Sequence, residues 1–237
     1  MMKPEFKRIM LKLSGEGLAG DCKTGIDASV VQKLAREIKV VRDLGVQVCL
    51  VIGGGNIFRG AKNGSAFMDR SVADQMGMLA TVMNALTMKS ALESLGCPAK
   101  VFSGLNMPQI CEPYSFRESK KVLDENTVVL FACGTGSPYF TTDSGAVLRA
   151  AEMHCDVVMK ATQVDGVYDS DPRYNKNAKR YDSISYAEVL EKHLDVMDMT
   201  AIAMARDNQI PIMVFAQKGD ESVLKAVCGE AKYTLIK

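Results

Sequence analysis

The sequence contains few of the residues from which metal sites are built. Its 237 residues include two histidines, His154 and His193, and neither belongs to an H-E-x-x-H motif. The seven cysteines are odd in number and form no C-x-x-C pair, so they match neither a zinc site nor a disulfide framework. We therefore expect reduced, packed thiols and no metal ion bound by protein side chains.

Long apolar runs and concentrated charge are also missing. Residues 1–8 have no apolar segment of the kind found in a secretory leader, and no run approaches the roughly 18 apolar residues that span a bilayer. These absences predict a cytoplasmic protein with no membrane partner. Lysine and arginine are scattered along the chain and the net charge is +1, so nucleic acid is not expected as the main partner.

The remaining composition is that of an ordinary globular protein, with 47% apolar and 24% charged residues. The apolar pattern alternates between strands and amphipathic helices. It predicts strands at residues 8–13, 47–52, 100–102, 128–132, 156–161, 212–215 and 233–236. It predicts helices at residues 28–44, 72–95, 115–123, 144–153, 186–192, 199–207 and 221–227. We expect a single domain over residues 1–237, a three-layer α/β/α sandwich around a mainly parallel sheet.

A polar segment, residues 134–145, follows the predicted strand at residues 128–132 and contains no aliphatic side chain. Its glycines allow backbone N–H groups to approach an anion, and its serines and threonines add neutral donors. Asp143 and Ser144 are predicted to cap the helix that follows. The segment is typical of a site for a phosphate-bearing small molecule, although an ordinary polar loop between a strand and a helix has the same composition.

Three cations follow or end predicted strands: Lys12, Arg59 and Lys160. Ligands of open parallel sheets bind outside the carboxyl ends of the strands, so these side chains are expected to meet at one edge. Cations among glycines suit phosphoryl transfer, in which the protein positions the phosphates and neutralises their charge. The alternative for each cation is a solvated charge at the end of a strand. Residues 162–182, rich in charge and turn formers, are predicted to form a long loop beside the ligand.

The usual nucleotide-binding fingerprints are absent. The sequence contains no G-x-x-x-x-G-K-[ST] motif, which excludes a P-loop enzyme. Neither glycine-rich segment, at residues 53–58 or 134–139, completes G-x-G-x-x-G, so a nicotinamide dehydrogenase loses its main support. A phosphate cradle of another type is expected.

Nine short segments together resemble the bacterial uridylate (UMP) kinases of the amino acid kinase superfamily, and the resemblance covers nearly the whole chain. They are K-L-S-G-E (12–16), G-I-D (25–27), V-I-G-G-G-N-I-F-R-G (51–60), D-Q-M-G-M-L-A-T-V-M-N (74–84), G-T-G (134–136), F-T-T-D (140–143), K-A-T (160–162), V-D-G-V (164–167) and V-M-D (196–198). The lysine and glycine segments indicate the superfamily. The segments that contain Asp74 and Asp143 point to UMP as the acceptor.

The resemblance implies an amino acid kinase-like fold and the transfer of a phosphoryl group from MgATP to UMP. It implies four catalytic residues: Lys12, Arg59, Asp143 and Lys160. It implies an ATP site made by Lys12, Leu13, Ser14, Gly15, Gly55, Arg59, Thr162, Gln163, Tyr168 and Asp171. It implies a UMP site made by Gly54, Asp74, Thr135, Gly136, Ser137, Pro138, Tyr139, Phe140, Thr141 and Thr142. The N-terminal part would mainly hold UMP and the C-terminal part mainly ATP, with Mg²⁺ bridging the ATP phosphates largely through water.

Two carboxylates can have a structural role instead of a role in the binding site. Asp143 is placed to orient Lys12 or Lys160, and it can equally serve as a helix N-cap. Asp74 can bind ribose hydroxyls, or it can be a first-turn carboxylate favoured by the helix dipole.

Assembly and regulation are also implied by the resemblance. It implies a homohexamer built from dimers, activated by GTP and inhibited by UTP, and the Met-rich helix at residues 72–95 is expected to be core or subunit interface. The GTP activator would bind at Gly20, Asp21, Cys22, Lys23, Thr24 and Gly25.

Two other functions remain open from the sequence. A kinase that acts on an acyl amino acid would share the ATP half of the site, but it would be expected to offer a cation to the substrate carboxylate, and the residues around Phe140 offer none. A uridine-nucleotide sensor without catalysis would not need the transfer cations Lys12, Arg59 and Lys160.

Overall fold

The structure, a computed structural model, describes residues 3–22, 24–59 and 67–237 of the chain. In these residues nine strands form one sheet: β1 (Arg8–Leu13), β2 (Gln47–Ile52), β3 (Ala99–Ser103), β4 (Glu112–Pro113), β5 (Val128–Ala132), β6 (Val157–Thr162), β7 (Ser183–Ile184), β8 (Ile212–Ala216) and β9 (Tyr233–Ile236). Their order across the sheet is β4-β3-β5-β2-β1-β6-β8-β9-β7. Every pairing is parallel except that of β8 with β9.

The α-helices of the described residues cover both faces of the sheet. They are α1 (Ala28–Asp43), α2 (Arg70–Ser94), α3 (Phe116–Asp124), α4 (Thr142–Met153), α5 (Tyr186–Glu191), α6 (Met199–Asp207) and α7 (Ser222–Val227). One apolar core lies between the sheet and α1, α2 and α7, and a second lies between the opposite face and α3, α4, α5 and α6. None of the helices in the described ranges is long and apolar enough to cross a membrane.

Alternation along two central strands puts a pair of lysines on the α4 face. In β1, Ile9, Leu11 and Leu13 enter the first core, whereas Met10 enters the second. Because side chains alternate along a strand, Lys12 follows Met10 onto the second face. The same alternation puts Lys160 of β6 on this face, and the parallel register pairs it directly with Lys12.

The predicted three-layer fold is confirmed, and most predicted element bounds agree with the observed ones within two residues. The sequence pattern missed β4 and β7, which have two residues each, because such short strands carry no period. It also missed two 3₁₀ helices, Gly15–Leu18 and Gly20–Cys22. Residues 162–182 form the predicted long loop, with an isolated antiparallel bridge between Tyr168 and Arg180.

The expected N-cap of the helix after the polar segment was wrong. Thr141, and not Asp143 or Ser144, caps α4, and its hydroxyl accepts hydrogen bonds from the N–H groups of Asp143 and Ser144. The helix therefore begins at Thr142, two residues earlier than predicted. The alternative role of Asp74 as a first-turn carboxylate is also wrong, because α2 begins at Arg70 with Asp69 as its N-cap.

Candidate active site

Three charged residues meet at the carboxyl edge of the sheet. Asp143 lies between the two paired lysines, with Oδ1 at 2.7 Å from Lys12 Nζ and Oδ2 at 2.7 Å from Lys160 Nζ. Lys12 and Asp143 are each 8% exposed. β1 lies where the chain order of the sheet reverses, between β2 and β6, which is the usual ligand crevice of an open α/β sheet. Three of the four predicted catalytic residues therefore form one cluster, which we call the lysine–aspartate cluster.

The charges of this cluster stabilise one another against burial. Burial alone would raise the pKa of Asp143, but the ammonium groups of Lys12 and Lys160 outweigh it, so the pKa lies below its ordinary value. Burial and the neighbouring Lys12 lower the pKa of Lys160, and Asp143 opposes this shift. Two cations and one carboxylate leave a net positive charge in a site with little water, where it acts strongly on a bound anion.

Side-chain bonds from the N-terminus of α6 fix the position of Asp143. Asp198, the N-cap of α6, accepts hydrogen bonds from the hydroxyls of Thr141 and Ser144, which flank Asp143 in the chain. Lys160 Nζ also donates to the carbonyl of Val196. The V-M-D segment at residues 196–198 therefore holds both Lys160 and the first turn of α4.

Two loops approach closely beside Lys12. The loop after β1 contains Ser14 and Gly15, and the loop after β2 contains Gly53. A Cβ atom at Gly15 would lie 2.4 Å from the carbonyl oxygen of Gly53, so a side chain at this position would force the loops apart. Their backbones can consequently present N–H groups to a phosphate at close range.

Arg59, the fourth predicted catalytic residue, does not touch the lysine–aspartate cluster. Its Nε donates to the carbonyl of Gly55 at 3.1 Å, and its guanidinium forms an ion pair with Glu16. Arg59 therefore bridges the loops after β1 and β2. The pairing with Glu16 was not predicted, although Glu16 lies in the first of the recognised segments.

A pocket of about 170 Å³ opens between the loop after β2, the helix α2 and the polar segment after β5. Seven of the ten residues predicted for UMP line it: Gly54, Asp74, Thr135, Ser137, Phe140, Thr141 and Thr142. Gly136, Pro138 and Tyr139 do not line it. Gly55, predicted on the ATP side, lies in its wall, so the loop after β2 borders both predicted sites.

The wall of the pocket includes residues that the sequence analysis missed. Thr81 donates its hydroxyl to the carbonyl of Met78 at 2.6 Å, and its oxygen accepts the N–H of Cys133 at 2.8 Å. Met78, Thr81 and Cys133 all line the pocket. A threonine within an apolar helix was the available signal for this contact, because a buried hydroxyl needs a partner.

Asp74 forms part of the rim of the pocket. Its carboxylate accepts the N–H of Tyr139 at 2.8 Å and lies 3.6 Å from Arg70 Nε. The guanidinium of Arg70 in turn stacks over the ring of Tyr139, 4.8 Å from its centroid. Asp74 thus faces the polar segment directly, and both of these contacts are made by its Oδ2.

The remaining residues predicted for ATP lie after β1 and β6. Thr162 ends β6 and Gln163 follows it, next to the loop after β8, where the N–H of Gln217 donates to the carbonyl of Thr162. Tyr168 donates its hydroxyl to Asp165, and Asp171 pairs with Arg173 farther along the long loop. The side chain of Leu13 is fully buried in the first core, so only its main chain can face a ligand.

The segment predicted to bind GTP is tied to the loop after β2. Gly20, Asp21 and Cys22 form a short 3₁₀ helix, and the N–H of Thr24 donates to the carbonyl of Cys22. The N–H of Gly25 donates to the carbonyl of Asn56, and the side-chain amide of Asn56 donates to the carbonyl of Gly25. Lys23 lies outside the described residues, as does Gly60 of the glycine-rich segment.

The fold and the cluster identify the class of protein. Residues 7–216 match the amino acid kinase family. The chain belongs to this family, and the family resemblance recognised in the sequence is confirmed.

Two relatives and one solved structure are similar to the chain over nearly its whole length. The chain is 54% identical to a uridylate kinase from Erythrobacter litoralis over 100% of this chain and 99% of the relative. It is 51% identical to a uridylate kinase from Rickettsia typhi, over 98% and 95% of the two chains. Its structure is similar to that of UMP kinase from Ureaplasma parvum, with a TM-score of 0.93 and 37% identity over 100% of both chains.

We predict that Asp143→Asn leaves Lys12 and Lys160 buried together without a counter-charge. Because breaking one side of a buried ion pair typically costs about 3–5 kcal/mol, the free energy of unfolding in urea should fall by about that amount at pH 7. The lowered pKa means that the stabilisation by Asp143 is present above the ordinary aspartate pKa and is lost as the pH falls through the lowered one. The difference between parent and variant should therefore shrink below about pH 4.

The control for this prediction is Asp220→Asn, which breaks an exposed ion pair with Lys33. Exposed pairs contribute little to stability, so this variant should unfold like the parent. If Asp220→Asn lowered the free energy of unfolding as much as Asp143→Asn does, the assignment of a buried, mutually stabilised cluster would be contradicted.

Proposed function

We propose that this chain is a nucleoside monophosphate kinase that transfers the γ-phosphoryl group of ATP to UMP, giving UDP and ADP in pyrimidine nucleotide synthesis. The observation that carries the proposal is the lysine–aspartate cluster at the edge of the acceptor pocket. Thr142 lines the pocket and precedes Asp143 in the chain. We infer that an acceptor phosphate at the Thr142 end of the pocket lies beside the two ammonium groups, as phosphoryl transfer requires.

The roles of the cluster follow from its charges. Lys12 and Lys160 neutralise the charge on the equatorial oxygens of the transferred group, because a lysine acts as a compact point charge. Asp143 orients both ammonium groups and offsets their mutual repulsion. Each of its two oxygens faces one lysine, so we assign Asp143 to the ammonium groups rather than to a metal ion. Mg²⁺ is proposed to enter with ATP, bound by the phosphates and by water.

The acceptor half of the proposal rests on the pocket. Asp74 faces into it and accepts one backbone N–H from the polar segment, which leaves acceptor capacity for ribose hydroxyls. Threonine and serine hydroxyls and the ring of Phe140 supply contacts for the base and the phosphate. We propose Gly54, Asp74 and residues 135–142 as the UMP site.

The donor half is proposed to use Lys12, Leu13, Ser14, Gly15, Gly55, Arg59, Thr162, Gln163, Tyr168 and Asp171. The close approach of Gly15 to Gly53 and the anchoring of Arg59 on Gly55 support this assignment for the phosphates. In this arrangement residues 1–237 act as one domain, with UMP mainly on its N-terminal part and ATP mainly on its C-terminal part.

The two alternative functions fit the site less well. A kinase for an acyl amino acid needs a cation for the substrate carboxylate, and among the described residues that line the pocket the charged one is Asp74. A uridine-nucleotide sensor without turnover gains nothing from two buried lysines, since burying such charges opposes folding.

The test is magnesium-dependent ADP formation from ATP, with UMP, CMP, dUMP and N-acetylglutamate offered separately to the purified protein. We expect turnover with a strong preference for UMP. Absence of turnover, with UMP or UTP still raising the melting temperature, would refute the kinase assignment in favour of the sensor. Turnover with N-acetylglutamate alone would refute UMP as the acceptor.

We predict that Lys12→Ala lowers kcat by about 10²–10³-fold and leaves UMP binding nearly intact. An electrostatic contact made mainly in the transition state is typically worth about 3–4 kcal/mol of activation free energy, and its loss appears in kcat. Asp74→Asn is the comparison variant, and it should mainly raise the KM for UMP. Steady-state kinetics with UMP and ATP varied in turn checks the predictions for both variants. If Asp74→Asn changed only the KM for ATP, the assignments of the UMP and ATP sites would have to be exchanged.

We also propose that the chain assembles into a homohexamer built from dimers. Val72, Met76, Leu79 and Met83 are exposed apolar side chains that share one face of α2. Contiguous exposed apolar residues of this kind mark interaction surfaces. GTP is proposed as an activator and UTP as an inhibitor, as the family resemblance implies. A cytoplasmic location is proposed, which agrees with the free thiols of all seven cysteines, each within the described residues.

We predict that a Leu79→Asp/Met83→Asp double variant forms smaller assemblies than the parent. The two side chains are 51% and 53% exposed in the single chain, and two buried carboxylates would oppose apolar contact between copies. Light scattering coupled to size exclusion gives the mass. Met199→Asp, at a methionine of α6 that is 48% exposed, is the matched control. An unchanged mass in the double variant would show that this face of α2 is not an interface.

A further inference from the structure

Two asparagine side chains form a buried pair beneath the loops of the candidate transfer site. Asn56 follows the glycines after β2, and Asn84 lies in α2; they are 1% and 0% exposed. Asn56 Nδ2 donates to Asn84 Oδ1 at 3.1 Å, and Asn84 Nδ2 donates to Asn56 Oδ1 at 2.8 Å. The two amides therefore bind each other reciprocally, and neither takes part in the proposed binding of substrate.

The second N–H of each amide binds a backbone carbonyl. Asn84 Nδ2 donates to the carbonyl of Gly53 at 2.7 Å, and Asn56 Nδ2 donates to the carbonyl of Gly25 at 2.8 Å. The N–H of Gly25 returns a bond to the carbonyl of Asn56, also at 2.8 Å. Both amide groups thus use both of their N–H donors and their oxygen, and such a fully satisfied buried network is rigid.

The pair also contacts the loop after β1. A Cβ atom at Gly15 would lie 2.4 Å from Asn56 Oδ1, so the backbone of Gly15 rests directly on the amide. The same atom would lie 2.4 Å from the carbonyl oxygen of Gly53, which is the group that Asn84 binds. The amides consequently set the separation between Gly15, proposed on the donor side, and Gly53, which precedes Gly54 of the acceptor pocket.

We propose that the Asn56–Asn84 pair is a positioning device for phosphoryl transfer. The proposal rests on the kinase function proposed above. The pair lies outside the residues proposed to bind either nucleotide; it acts through Gly15 and through Gly53, which precedes the pocket-lining Gly54. Because transfer depends on the in-line approach of donor and acceptor, a small change in the separation of these loops slows the chemical step more than it weakens binding.

The test compares steady-state kinetics and melting temperatures of full-length variants with ATP, UMP and Mg²⁺. Asn84→Ala should lower kcat by about 10–100-fold, since a misplacement of about 1 Å can cost roughly 10²-fold in rate, while the KM for UMP changes by less than about threefold. Asn84→Asp keeps the shape and the acceptor oxygen but removes both N–H donors. It should also lower kcat, and it replaces the alanine variant in this test if that variant does not fold.

The matched control is Gln47→Ala, at the opposite end of β2. The amide of Gln47 donates to the carbonyl of Leu123 and accepts from Arg8 Nε, far from the carboxyl edge. The melting temperature of this variant should fall, whereas its kcat should not change. If the pair only stabilises the fold, Asn84→Ala will behave like Gln47→Ala, and that result would overturn the proposal.

A double variant supplies a second criterion. If both amides act through one network, Asn56→Ala/Asn84→Ala should lower kcat no further than the more impaired single variant does. Multiplied losses would show that the two residues act separately and would overturn the pair as a unit. Absence of turnover by the parent protein would overturn the kinase function itself, whereas an active parent with unimpaired variants would overturn the positioning role alone.

Discussion

The arrangement of the site depends on the buried contact of one carboxylate with two ammonium groups. Lys12 and Lys160 are register partners on adjacent parallel strands, and like charges so close would repel each other without Asp143 between them. This requirement fixes the first turn of α4 over the ends of β1 and β6. Thr141 and Asp198 hold that turn in place, so the polar segment after β5 and the start of α6 both serve the same contact.

The loop after β2 has a comparable constraint on the other side of Lys12. It borders the acceptor pocket through Gly54 and Gly55, and the carbonyl of Gly55 accepts a hydrogen bond from Arg59. It also approaches Gly15 so closely that a side chain there would clash with the carbonyl of Gly53. A single short loop therefore belongs to both proposed binding sites. Such a loop needs a rigid base, and the Asn56–Asn84 pair fills the space beneath it.

Much of this could be predicted from the sequence. The strands β1, β2 and β5 were predicted at their observed bounds because each is a short, mainly apolar run followed within two residues by glycine. The parallel direction of β1 and β6 then brought Lys12 and Lys160 to one edge. The role of Asp143 could not be separated from capping, since sequence alone does not show which of several neighbouring polar residues a helix uses as its N-cap. Nor could the pairing of Asn56 with Asn84 be predicted, because amides carry no periodic signal and their partners lie in different elements.

The composition of the lysine–aspartate cluster has a consequence for the order in which the chain becomes functional. Lys12 belongs to the first strand, whereas Asp143 and Lys160 belong to α4 and to the sixth strand in chain order. A contact between such distant segments forms late, after much of the chain has been ordered. During synthesis from the N-terminus, Asp143 directly follows the last pocket residue, Thr142, whereas Lys160 is added only with β6. A chain that ends before β6 therefore lacks one of the two ammonium groups of the cluster and the proposed ATP residues that follow it.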